Sequence, residues 1–179
     1  MLRLIAALLL LTLAACAARP RADTVTEELP WLALTPEAAP LMALEQRLHF
    51  ERAGEKHTLD ALLEVDATEM RLLLHAGGQP LLRIRWDGAR IEQQRSEHLP
   101  PQVTAERVLN DLQLAHWPAE VVAAALPEGW TLDESDAGRV LRYRSHVVQR
   151  IRREDNGTIL IEHLITGFRL RIESVALQP

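Results

Sequence analysis

From Leu41 to Arg95 the chain alternates apolar and polar residues with period two, broken at short intervals by turn-forming residues, and the alternation returns after Gly129. Successive side chains of a strand point to opposite faces, so this pattern specifies strands with one buried and one wet face. Met42, Leu44, Leu48 and Phe50 fall on one face of the first strand, and Glu45, Arg47, His49 and Glu51 on the other. A second strand turns Leu59, Ala61, Leu63 and Val65 inward, with Leu62 out of phase. The third, near 70–75, holds Leu72, Leu73 and Leu74, which fits a strand covered on both faces or one leucine turned toward a membrane or partner. After Gly77-Gly78, Leu82, Ile84 and Trp86 alternate with Arg83 and Arg85. Asp87-Gly88 is expected to form a two-residue turn into a fifth strand near 90–95, since glycine readily takes the positive φ of a type I′ turn.

Pro100-Pro101 ends this meander and the period lengthens. Val108, Leu109 and Leu112 recur at helical spacing, with Thr104 as N-cap, and Pro118 opens a second short helix ending before Pro127. Both helices are apolar on one side and need a sheet to cover. Five more strands are expected near 130–132, 139–145, 147–153, 158–164 and 168–175, with Asp155-Asn156-Gly157 as the strongest hairpin signal.

The N-terminus has a different layout. Arg3 precedes an apolar run, Leu4 to Ala15, which is shorter than the roughly 20 residues a bilayer-spanning helix takes. It ends at Cys16, the one cysteine of the chain. Leu13-Ala14-Ala15-Cys16 resembles the lipobox of bacterial lipoproteins. That resemblance implies a signal peptide over 1–15, lipid attachment at Cys16 and, with Ala17 rather than an acid following, a periplasm-facing protein anchored in the outer membrane. Residues 16–40, with prolines at 20, 30, 36 and 40, are expected to form a lipidated tether. Within it Leu29, Trp31, Leu32 and Leu34 fit either a segment docked on the domain or a flexible one. The domain proper is expected over 41–179. With one cysteine there is no internal disulfide, so stability must come from a core.

Without residues 1–15 the chain loses one arginine and carries a formal charge of −6, which argues against a nucleic-acid partner. No nucleophile motif such as Gly-x-Ser-x-Gly occurs, and the seven histidines never fall at metal-ligand spacing, so neither catalysis nor a metal or other cofactor is expected. Arginine pairs two residues apart, Arg83/Arg85, Arg142/Arg144, Arg150/Arg152 and Arg169/Arg171, each point to one face of a strand, which fits either a basic surface for anionic headgroups or an acidic partner, or a solvated outer face that keeps strands from pairing edge to edge.

The order of meander, two short helices and further strands resembles the LolA/LolB class. The similarity is carried by Leu72-Leu73-Leu74 with the Gly77-Gly78 tip and Leu82-Arg83-Ile84-Arg85, by 118–129, and by Phe168-Arg169-Leu170-Arg171-Ile172. It implies an α+β fold, an open antiparallel half-barrel with short helices covering the concave face. More narrowly the chain resembles an uncharacterised lipoprotein family encoded beside aryl polyene biosynthesis genes. The hairpin tip at 75–80, where LolB-type proteins carry an exposed leucine, has no large apolar residue here. The implied function is non-enzymatic binding of an acylated or aryl-polyene-type lipid and assistance in its transfer. Candidate cavity-lining residues are Leu48, Phe50, Leu63, Leu72, Leu74, Ile84, Trp86, Phe168, Leu170 and Ile172. The rival expectation is a structural or assembly lipoprotein that holds an envelope transport or assembly protein through the arginine face. An enzyme acting on envelope lipids would need a convergent polar cluster within the concavity.

Overall fold

The computed structural model describes residues 29–177; the apolar leader, Cys16 and the chain as far as 28 lie outside them. The strands are β1 (Met42–Arg52), β2 (Glu55–Val65), β3 (Met70–Ala76), β4 (Gln79–Trp86), β5 (Ile91–Arg95), β6 (Trp130–Ser135), β7 (Gly138–Tyr143), β8 (His146–Arg153), β9 (Ile159–His163) and β10 (Phe168–Ala176). Between β5 and β6 come helices α1 (Ala105–His116) and α2 (Ala119–Ala125). All ten strands form one open antiparallel sheet in the order β5-β4-β3-β2-β1-β10-β9-β8-β7-β6. The C-terminal strand therefore closes against the first one and joins two meanders into a single surface. This is an α+β architecture consistent with a half-barrel.

The alternation chose the faces correctly. Leu48, Leu63, Leu72, Leu74, Leu82, Ile84 and Trp86 are buried on the inner side, while Leu62 and Leu73, the two out-of-phase leucines, pair across β2 and β3 on the outer side. Gly77 and Gly78 form the two-residue tip of the β3–β4 hairpin with φ of 54° and 80°, as a type I′ turn requires. The turn expected at Asp87-Gly88 differs. It is a four-residue loop, 87–90, because Asp87 Oδ1 accepts the N–H groups of Ala89 at 2.9 Å and Arg90 at 2.8 Å, so the aspartate side chain closes the chain reversal.

Antiparallel register fixes the two ends of the sheet. The β1–β2 hairpin, the β9–β10 turn and the β3–β4 tip share one end, and the loops after β2, β4 and β8 share the other. Thr104 caps α1, its hydroxyl accepting the Arg107 N–H at 3.3 Å. The helix runs from the first end to the second. There Arg139 donates to the carbonyls of Leu114 and Trp117 at 2.8 and 2.7 Å, and Arg153 to that of Ala115 at 3.4 Å. Two guanidiniums thus satisfy carbonyls that a helix C-terminus leaves open.

Residues 29–35 are docked as a strap along α1. Leu32 and Leu34 are buried, Trp31 packs edge-on against Trp86 at 5.6 Å, and the strap main chain meets polar side chains of the helix. Asn110 accepts the Leu32 N–H at 3.2 Å and donates to the Pro30 carbonyl at 2.8 Å. Gln113 accepts the Leu34 N–H at 3.3 Å and donates to its carbonyl at 3.1 Å. Trp86 donates to the Leu34 carbonyl at 2.8 Å and Trp117 to that of Thr35 at 3.0 Å. Because Pro30, Leu34 and Thr35 meet Asn110, Gln113 and Trp117 in turn, the strap runs parallel to α1.

Removing the side-chain partners of this strap should be costly. The double change Asn110→Ala, Gln113→Ala orphans buried main-chain groups at about 1–3 kcal/mol each and is expected to lower the denaturant midpoint without changing its slope. An unchanged midpoint would show that the strap bonds contribute nothing. A second expectation concerns His116, whose ring Nε2 is buried without a partner. Burial, then the guanidiniums of Arg153 and Arg139, push its pKa down to about 4. A folded-state pKa below the unfolded one means stability present above about pH 6.5 and lost as pH falls through about 4. Urea titrations across that window should show the loss in the native chain, and a smaller one in His116→Phe.

Candidate functional site

A cavity of about 520 Å³ lies between α1, the loop that precedes it and the inner face of β1–β4, β9 and β10. Of the residues expected to line it, Leu48, Phe50, Leu72, Leu74, Phe168, Leu170 and Ile172 do so. Leu63, Ile84 and Trp86 do not: they share the inner face but form solid core, Trp86 being fixed beneath the strap by its bond to Leu34. Void and core thus divide the same sheet face along its length. The remaining apolar wall comes from Leu59, Leu81 and Ile161 on the strands and from Leu99, Pro100, Val103, Val108 and Leu112, so loop and helix residues complete what the strands begin. Phe50 and Phe168 stack at 5.8 Å near the sheet end where the β1–β2 hairpin lies.

The mouth is at that end. Arg52, Glu55 and His57 from the β1–β2 hairpin, His98 and Gln102 from the pre-helix loop, and Arg107 from the first turn of α1 surround it. The opposite end is filled by Trp86, Trp117 and the strap. The site is therefore a blind, apolar pocket with a polar rim, the arrangement that small-molecule sites of 300–1,000 Å³ commonly show.

One polar cluster borders the void and was not anticipated. Asp111 of α1 lines the cavity and directs Oδ1 into the sheet, where it accepts from Gln149 Nε2 at 2.9 Å and faces His163 Nε2 at 3.0 Å. A carboxylate accepts only, which assigns the hydrogen of that imidazole nitrogen to the Asp111 side. Gln149 and His163 sit opposite each other on β8 and β9 and are buried. Gln149 Oε1 and Thr166 Oγ1 are buried with no partner, and Thr166 lines the cavity. An acid–imidazole pair activates a nucleophile when the ring also reaches a hydroxyl or thiol. Among the described residues no serine, threonine or cysteine side chain is hydrogen-bonded to His163. The pair ties the helix to the sheet. Among those residues, too, no group of three His, Cys, Asp or Glu side chains is placed to hold a metal ion, and no helix is long and apolar enough to cross a membrane.

The expected arginine surface is altered by its carboxylates. Arg85 pairs with Glu69 and Glu92, Arg142 with Asp133 at 2.9 Å, and Arg171 with Glu154 and Glu173 at 3.3 and 3.2 Å. Arg152 and Arg169 both approach Glu162, at 3.4 and 3.6 Å. Arg142 and Arg144 do not form a strand pair, because a register shift follows Leu141 and Arg144 sits in the β7–β8 turn with φ of 53°. A groove of about 490 Å³ on the outer face gathers Lys56, Arg152, Arg169 and Arg171, with Glu51 and Glu162 among them.

Fold and site together define an open antiparallel sheet protein with a helix-covered apolar pocket. The chain belongs to the family described as "Protein of unknown function (DUF3261)", which matches residues 43–176. No curated protein matches it.

The Asp111 cluster makes its own prediction. Asp111→Ala removes the acceptor of two buried donors, each costing about 1–3 kcal/mol when left unmet, whereas Asp111→Asn keeps one acceptor oxygen and should cost less. Thermal unfolding of the two variants should reproduce that order, and equal midpoints would remove the cluster's structural role.

Proposed function

We propose that this protein is a lipid-binding, non-catalytic lipoprotein of the outer membrane that holds an acyl or aryl-polyene-type chain in the pocket under α1 and assists its transfer. The observation that carries the reading is the pocket of about 520 Å³, walled mostly by aliphatic side chains with Phe50 and Phe168 toward its mouth. A soluble domain of this size ordinarily fills such a volume, since interiors pack as densely as organic crystals. A void walled by Leu72, Leu74, Leu170 and Ile172 excludes water poorly bound by apolar walls and accepts methylene chains. The resemblance to the LolA/LolB class and the lipobox-like end at Cys16 support the same reading. The rival reading through the arginine face has weaker support, because most of those guanidiniums are engaged by carboxylates of the same chain.

The strands, helices and strap described above all lie within residues 29–177, so a chain that begins at Ala17 retains all their interactions. Native mass spectrometry of that chain, followed by lipid extraction, is expected to find one acyl ligand per protein, either co-purified or taken up from added palmitate. Leu74→Trp, which fills the pocket, should weaken uptake by about tenfold or more at an unchanged far-ultraviolet spectrum. A chain that stays lipid-free with every added fatty acid overturns the proposal.

A further inference from the structure

We infer that the ligand is a single-chain amphiphile with an anionic head, bound tail-inward, and that Arg52 and Arg107 at the mouth hold the head. The inference rests on the acyl-binding reading above and adds the head group and its receptors.

Arginines in this structure are ordinarily engaged. Arg47, Arg71 and Arg85 meet carboxylates, and Arg95, Arg139 and Arg153 meet carbonyls. Arg52 and Arg107 meet neither among the described residues, although each has an acid within reach by sequence; Arg83, Arg90 and Arg150 also lack such a partner but do not line the pocket. Glu55 lies opposite Arg52 across the β1–β2 hairpin and contacts His57 instead, at 4.0 Å. Asp111 follows Arg107 by one helical turn, the spacing at which such pairs form, but Gln149 and His163 draw its carboxylate into the sheet. The buried cluster thus leaves Arg107 unneutralised at the edge of the pocket.

Arg107 is also half-buried at the edge of the pocket, with no counter-charge beside it. A ligand carboxylate or phosphate supplies that counter-charge, and a planar guanidinium matches either through two parallel hydrogen bonds. Arg52 enters from the opposite wall, on β1, with His57 and His98 beside it as further ring donors or acceptors. Beyond this rim the wall is mostly aliphatic, with Gln46, Asp111 and Thr166 as its polar members. An amphiphile entering tail-first therefore ends with its head between two free cations.

The test compares ligands that share a sixteen-carbon chain: palmitate, a lysophosphatidate, 1-hexadecanol and hexadecylamine. Binding is read by displacement of a fluorescent fatty acid from the Ala17-onward chain. Palmitate or lysophosphatidate is expected to bind about tenfold or more tightly than the alcohol, and the amine no better than the alcohol. Whichever anion binds more tightly assigns the head as carboxylate or phosphate. Arg107→Gln and Arg52→Gln should each reduce the anion's advantage over the alcohol, and Arg107→Lys should restore part of it. The ligand comparison needs no variant, so a poorly folded Arg107→Gln protein does not remove the test. Equal binding of acid, alcohol and amine overturns the head assignment while leaving the pocket's acyl binding in place. Failure of all four ligands overturns the acyl-binding reading itself.

Discussion

Helix α1 carries three buried polar side chains, Asn110, Asp111 and Gln113, and the position of nearly everything else follows from where their hydrogen bonds go. Buried amides and carboxylates are costly unless satisfied, so their partners specify geometry in a way that leucine contacts do not. Asn110 and Gln113 take the strap main chain, while Asp111 takes Gln149 and His163 on the sheet. The helix is held from two sides. Apolar packing alone is non-directional and would let α1 settle onto the sheet until the space beneath it closed.

That bracing accounts for the coexistence of a solid core and a void under one helix. Toward the C-terminus of α1, Trp86, Trp117 and the strap fill the layer completely, and two guanidiniums cap the helix. Toward its N-terminus the helix spans to the sheet through Asp111, with open space beside the contact. The same bond sets the electrostatics of the rim, because an aspartate committed to the sheet cannot neutralise Arg107. Support of the lid and charge at the mouth are two effects of one carboxylate.

Much of this fold was legible in the sequence, and the parts that were not share a cause. Period-two alternation assigned Leu48, Leu72 and Ile84 to the inner face, and Thr104 and Pro118 marked the helix starts, because these signals are local. Alternation cannot say how far along a strand the inner face is packed, which is why Leu63, Ile84 and Trp86 share the pattern of the lining residues yet lie in solid core. Asp87 closed its loop through a side-chain bond that a Gly-based turn rule does not include. The site's polar residues were hidden for a stronger reason: Asp111, Gln149 and His163 are separated by up to 52 residues and meet only when β8 and β9 pair beneath α1. A hint was present in α1 itself, where Asn110, Asp111 and Gln113 interrupt the apolar side of an amphipathic helix.

The parallel course of the strap also has a mechanical meaning. A pull on the chain upstream of Leu29, directed along the α1 axis, loads the bonds of Asn110, Gln113, Trp86 and Trp117 together in shear instead of peeling them one after another. Shared loading resists detachment far better than sequential rupture. The domain can thus be held by its N-terminal segment under strain while the helix that roofs the pocket keeps its place.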